Sequence, residues 1–152
     1  MSHYRNILCA TDFSDQCRIA AERAAELARR FGAQLTLLHV VEHFPVDRSN
    51  TDISPEDVDP VLYHEEKALG ALAEIAGRLK LDQVKQAVRF SMDSAQYEIL
   101  RYIAEHRTDL LVIAAHGRHG IASFPGSTLL GATDKSPCDV MIVHCESQLK
   151  AA

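Results

Sequence analysis

Gly117, Gly120 and Gly126 punctuate the run Ile113-Ala-Ala-His-Gly-Arg-His-Gly-Ile-Ala-Ser-Phe-Pro-Gly-Ser127, and their placement suits the binding of an anion. The run follows the apolar stretch Leu110-Leu-Val-Ile-Ala114, which reads as a buried strand, and leads into a helix expected to begin near Ser127. Strand, glycine-punctuated loop and helix turn backbone N–H groups and a helix N-terminus toward a negative charge. Glycine serves there because it accepts positive φ and lets a phosphate approach the backbone with no side chain between. A Gly-x-x-Gly pair alone equally marks a surface loop, so the weight falls on the residues around it.

Other chemistry is thinner. His116 and His119 lie three apart, and His39 and His43 four apart, but a metal needs three or four convergent ligands with supporting hydrogen bonds. His39 falls in a strand and His43 in the loop after it, so no helix face gathers the pair, and no metal site is expected. His144-Cys145 gives no better set. The chain has no Walker-type lysine loop, no Gly-x-Ser-x-Gly elbow and no Cys/His arrangement that the sequence brings together, so no catalytic residue is assigned. Cys17 falls in the first turn of a predicted helix, where the dipole could lower its pKa; a partly buried, inert thiol is the plainer reading.

These residues must be positioned by alternating strands and helices. Asn6-Ile-Leu-Cys-Ala10 is a short strand closed by Thr11-Asp12-Phe13-Ser14, and Ser14 is a suitable N-cap. Ile19, Ala20, Ala24, Leu27, Ala28 and Phe31 then recur at helical spacing, and Gly32 stands at the helix C-terminus. Gln34-Leu-Thr-Leu-Leu-His-Val-Val41 reads as a strand buried on both faces. Residues 42–59 form one long polar connection containing Pro45 and Pro55, of the kind that is often functional. Asp59 and Pro60 open a second helix, whose apolar positions are Leu62, Leu69, Leu72, Ala73, Ala76 and Leu79. Val84 to Phe90 is a third strand, and Tyr97, Ile99, Leu100 and Ile103 mark a third helix. A short fourth helix is expected after Gly126, and a fifth strand over Asp139-Val-Met-Ile-Val-His144. Residues 1–146 form one domain in this reading, and 147–152 a frayed tail. Five strands separated by helices specify a single α/β domain with an open, mainly parallel sheet and right-handed crossovers.

Composition narrows the class. The 152 residues are 47% hydrophobic and 24% charged, with a net charge of −5, which fits a globular domain and argues against a nucleic-acid surface. No apolar run reaches the roughly 18–20 residues of a membrane span. The N-terminus shows no signal-peptide pattern, and Cys9, Cys17, Cys138 and Cys145 lack the spacing of a disulfide scaffold. A cytoplasmic protein with free thiols is expected.

Four segments carry a resemblance: Ile7-Leu-Cys-Ala-Thr-Asp-Phe-Ser14, Leu37-Leu-His-Val40, Asp109-Leu-Leu-Val-Ile113 followed by His116-Gly-Arg-His-Gly120, and Pro137-Cys-Asp-Val-Met-Ile-Val143. In this order, on a five-strand plan, the chain resembles a universal stress protein of the A type over nearly its whole length. The resemblance implies the strand order 3-2-1-4-5, with a reversal of winding between strands one and four. Ligands of open α/β sheets bind beside such a switch point, here at Ala10-Thr11-Asp12 and the loop from Ala114.

Nucleotide-binding members of that family carry Gly, two residues, Gly, nine residues, then Gly and Ser or Thr. Here Gly117 matches the second glycine and Gly126-Ser127 the last pair, but Ala114 replaces the first glycine and eight residues separate Gly117 from Gly126. An alanine where positive φ is required costs roughly 1 kcal/mol. The resemblance implies that Asp12 accepts from ribose or adenine with Thr11 beside it, that the Val40 backbone meets the adenine edge, and that His116 lines the crevice. Gly117, Gly126, Ser127 and Thr128 would wrap the phosphates, with Arg118 as an added charge. Asp12 is equally a turn acceptor, Ser127 equally a plain N-cap, and Val40 a core residue in any case. The expected function is a homodimeric stress-response protein binding ATP or a related adenine nucleotide, with Mg²⁺, as a regulatory ligand. The alternative is a member without nucleotide that acts through dimerisation and protein partners; slow ATP hydrolysis is the third reading. The resemblance implies that Val140-Met-Ile-Val143, at a sheet edge, pairs with its copy across a two-fold axis.

Overall fold

A computed structural model describes residues 4–42, 59–116 and 138–144. Its elements are β1 (Asn6–Ala10), α1 (Asp15–Phe31), β2 (Gln34–Val41), α2 (Pro60–Arg78), β3 (Val84–Phe90), α3 (Ala95–His106), β4 (Leu110–Ala114) and β5 (Asp139–Val143). All five strands are parallel, in the order β3-β2-β1-β4-β5. The strand order expected from the resemblance is therefore observed. β5 ends at Val143, one residue short of the expected boundary, with His144 outside the ladder. The fourth helix and the tail lie outside the described residues. Among the described residues, no helix is long and apolar enough to cross a membrane.

Alternation along the strands splits the core in two. Ile7, Cys9, Leu35, Leu37, Leu110, Val112 and Ala114 face α1 and α2. Leu8, Ala10, Leu38, Val40, Leu111 and Ile113 face α3, where Ala95, Ile99, Tyr102 and Ile103 cover them. The helices differ from the sequence expectation in which residues they bury. On α1 the buried stripe is Cys17, Ala20, Ala21, Ala24, Ala25 and Ala28, while Phe31 is exposed and Ile19 and Leu27 sit at the margin. An alanine methyl is too small to hold the helix off the sheet, and the large strand residues supply most of the volume of this layer. On α2, Ala68, Leu72, Ile75 and Leu79 are buried, whereas Leu62 and Ala73 are exposed. On α3, Tyr97 is exposed and Tyr102 is buried.

The two ends of the sheet are unlike. At the N-terminal end of the strands the Asp109 carboxylate accepts from the Arg5 amide at 2.8 Å and the Asn6 amide at 2.7 Å. There too, Tyr4 donates its hydroxyl to Asp139 at 2.6 Å. Arg107, in a left-handed conformation with φ 51°, ends α3 and delivers the chain to Asp109. Asp109→Ala is expected to lower the unfolding free energy by about 1–3 kcal/mol, because it strips a charged acceptor from two strand amides. Urea denaturation checks this.

Candidate functional site

β1 and β4 run side by side, with Cys9 opposite Val112, and then diverge. β1 turns through Thr11 and Asp12 into α1, while β4 continues to Ala115 and His116. Between them the direction of winding reverses, which opens a crevice at the carboxyl ends of the strands. β2 contributes the third wall, since its ladder with β1 ends at the Ala10–Leu38 pair while the strand continues to Val41. The Thr11 amide donates to the Leu38 carbonyl at 2.9 Å. The two-residue repeat of a strand therefore aims the Val40 peptide groups the same way, over the end of β1. The Val40 side chain is buried against α3, so its backbone is the part directed at the crevice.

The turn between β1 and α1 is held by its own polar side chains. Thr11 is fully buried, and its hydroxyl accepts from the Phe13 amide at 3.1 Å. The Asp12 carboxylate accepts from the Ser14 amide at 2.8 Å. Ser14 caps α1 by accepting from the Cys17 amide at 3.3 Å. These contacts plant the positive end of a 17-residue helix beside the crevice, with Asp12 on its rim. Asp12 is thus a turn acceptor, and it lies where a ligand contact would also be made.

His39 lies beside them. Its Nδ1 is 2.8 Å from the Thr11 carbonyl, and its ring stacks on Phe13 with centroids 4.3 Å apart. Burial lowers the His39 pKa, opposed by the Thr11 carbonyl and by the charges of Asp12 and Glu42. Glu42, just past β2, accepts from the Ala95 amide at 3.3 Å and so serves the N-terminus of α3, whose cap Ser94 makes no side-chain bond there. Neither contact was legible from local sequence: Phe13 carries φ 68°, which no aromatic residue advertises, and Glu42 acts across 53 positions.

Ala114 lies within β4 opposite Val143, is fully buried, and is not among the residues with positive φ. Its methyl belongs to the core under α1, so the conformational cost of alanine for glycine does not arise at this position. His116 is exposed where β4 leaves the sheet, and the Ala115 amide donates to the Val143 carbonyl at 2.9 Å. Gly117, Gly126, Ser127 and Thr128, expected to hold phosphates, lie outside the described residues, as do Arg118, His43, His119 and Cys145. The structure thus brings Thr11, Asp12, Val40 and His116 to one end of the sheet.

The helix dipole does not activate Cys17. Burial raises its thiol pKa to about 11, outweighing the hydrogen bond from Ser14. Cys9 is raised further by complete burial. Among the described residues no three His, Cys, Asp or Glu side chains converge as a metal site.

The fold defines an open, doubly wound α/β domain with a topological switch point between β1 and β4. The universal stress protein family model matches residues 3–144, and the chain belongs to that family. Two relatives from Coxiella burnetii stand near it. Universal stress protein A homolog 1 is 30% identical over 141 residues, covering 93% of this chain and 96% of its own. Universal stress protein A homolog 2 is 32% identical over 146 residues, covering 95% and 97%. The universal stress protein UspA from Lactobacillus plantarum aligns with a TM-score of 0.61 at 27% identity, over 94% of this chain and 99% of its own. A universal stress protein solved in complex with cAMP aligns at 0.66 and 22% identity, covering 94% and 98%. One from Archaeoglobus fulgidus, in complex with dAMP, aligns at 0.57 and 18%, covering 93% and 98%.

Proposed function

We propose that this protein binds an adenine nucleotide at the switch point and works as a regulatory stress protein rather than as a catalyst. The observation that carries the reading is the convergence, on one crevice, of the Asp12 carboxylate, the Val40 peptide and the N-terminus of α1. A carboxylate on the rim suits a ribose diol or an exocyclic amine, a strand peptide suits the edge of a base, and a helix N-terminus suits phosphate. These residues fit the nucleoside half of the ligand. Gly117, Gly126, Ser127 and Thr128 are the residues we assign to its phosphates, with Mg²⁺ as a counter-charge. That proteins of the same fold have been solved with cAMP and dAMP supports the class of ligand.

The nucleotide acts here as a ligand that stabilises one state of the protein. Mass action gives about 2.7 kcal/mol of stabilisation at a hundred times Kd. Thermal melting of nucleotide-stripped protein with ATP, ADP, AMP and cAMP, with and without Mg²⁺, tests the reading. A saturable rise in Tm is expected. No rise up to several millimolar of any of the four would overturn it and leave docking to protein partners as the function. We place the protein in the cytoplasm.

A homodimer belongs to the same proposal. Among the described residues, β5 pairs with β4 on one side only, and Ile142 is 40% exposed on it. An edge of this kind favours pairing with its own copy. Ile142→Lys places a charge in that seam and is expected to convert the dimer to a monomer in sedimentation experiments. A wild-type monomer at micromolar concentration would contradict the assignment.

A further inference from the structure

We propose that His39 is a positioning residue for the crevice: its Nδ1–H holds the Thr11 carbonyl while its ring holds Phe13 in a left-handed conformation, and these contacts together aim Asp12 and the first turn of α1. The proposal rests on the functional reading above for its purpose, and on geometry for its substance.

His39 occupies a place that packing alone would give to an apolar residue. Leu35 and Leu37 precede it on the same face of β2, and both are fully buried against α1 and α2. An imidazole there has to be accounted for by what it bonds. Its partner is the carbonyl of Thr11, which lies past the last β1–β2 pair. A carbonyl only accepts, so the proton on Nδ1 is fixed by the contact, and in the neutral ring Nε2 is the bare nitrogen. Burial favours that neutral form.

Phe13 is the second half of the device. Its φ of 68° is a conformation that a bulky L-residue adopts only against a steric penalty. Such strain persists where the surroundings over-determine it, and it gathers at functional turns. Here the Phe13 amide is tied to the Thr11 hydroxyl at 3.1 Å, and the ring lies on His39 with an interplanar angle of 27°. Thr11 is consequently held at its amide by Leu38, at its carbonyl by His39 and at its hydroxyl by Phe13. Asp12 lies between two such anchored residues, with its own carboxylate bonded to Ser14. Releasing His39 removes both the carbonyl's donor and the ring's stacking partner, and the turn that carries Asp12 relaxes.

The test separates this role from the nucleotide reading. On the full wild-type chain without ligand, long-range ¹⁵N–¹H correlation of the His39 ring at neutral pH is expected to show Nδ1 protonated and Nε2 bare. The opposite tautomer would overturn the proposal. Amide hydrogen exchange at Phe13 and Ser14 is expected to quicken about tenfold in His39→Leu, which keeps bulk and loses the donor. His39→Asn, whose side-chain N–H can stand where Nδ1–H stands, should restore most of the protection. Unchanged exchange in His39→Leu would refute the idea. In nucleotide titrations the leucine variant should weaken Kd about tenfold and the asparagine variant should recover it. If wild-type protein binds no nucleotide, the functional reading falls, while the tautomer and exchange results still decide for or against His39.

Discussion

Leu37→Ala is expected to lower the unfolding free energy by about 3–5 kcal/mol, the upper part of the range for a leucine truncated in a core. The reason lies in what surrounds it. Leu37 is fully buried in β2, in register with Cys9 on one side and Gln86 on the other. The stripe that α1 lays over this face is five alanines and a cysteine. The alanines have no rotamer that could swing into the vacated space and Cys17 has only one short torsion, so little on α1 can fill the cavity. Against a total stability of about 5–15 kcal/mol, such a loss is severe. The reverse change gives a matched test: Ala24→Leu overfills the same seam and is expected to cost about 1–3 kcal/mol. Chemical denaturation measures both. A loss below 1 kcal/mol for Leu37→Ala would show that α1 can settle onto the sheet, contrary to the packing described.

Asp12→Ala is expected to weaken adenine-nucleotide binding by about 10- to 100-fold, the worth of one hydrogen bond to a charged group. Stability should fall less, by about 0.5–1.5 kcal/mol, for the loss of the hydrogen bond to the Ser14 amide. Asp12→Asn sharpens the distinction. Its amide oxygen can still accept from Ser14, so the turn survives while the negative charge goes. The asparagine variant should therefore melt near wild type yet bind between wild type and alanine. Calorimetric titration and thermal melting on the three proteins check this. Equal affinities in all three would remove Asp12 from the site and confine it to the turn.

Much of this architecture was legible because local signals agreed. Ser14 and Gly32 bracket α1, Asp59 and Pro60 open α2, and the apolar runs of β2 and β4 have the boundaries that their composition suggests. What failed to show was whatever depends on neighbours distant in sequence. Periodicity named Ala20, Ala24, Ala28 and Leu72, which are buried, but also Phe31, Leu62 and Tyr97, which are exposed, while sheet contact adds Ala21 and Ala25 of α1, Ile75 of α2 and Tyr102 of α3. The site divides in the same way. Asp12 and Val40 were named from motif position, and the fold brings them to one edge. The anchoring of their turn by His39 and Phe13 depends on a strand end and a positive φ that no local pattern encodes. The strand reading of Leu110–Ala114 holds, and with Ala114 buried in β4 the cost of an alanine at the first glycine position of the motif does not arise.

The most direct measurement is an amide NMR titration of the nucleotide-stripped, full-length protein with ATP and Mg²⁺. The account predicts saturable shifts concentrated at Thr11 to Ser14, Val40 and Ala114 to His116, with little change at Arg5, Asn6 and Asp109 at the opposite end of the sheet. Shifts confined to that opposite end, or none at millimolar ATP, would contradict a nucleotide site at the switch point.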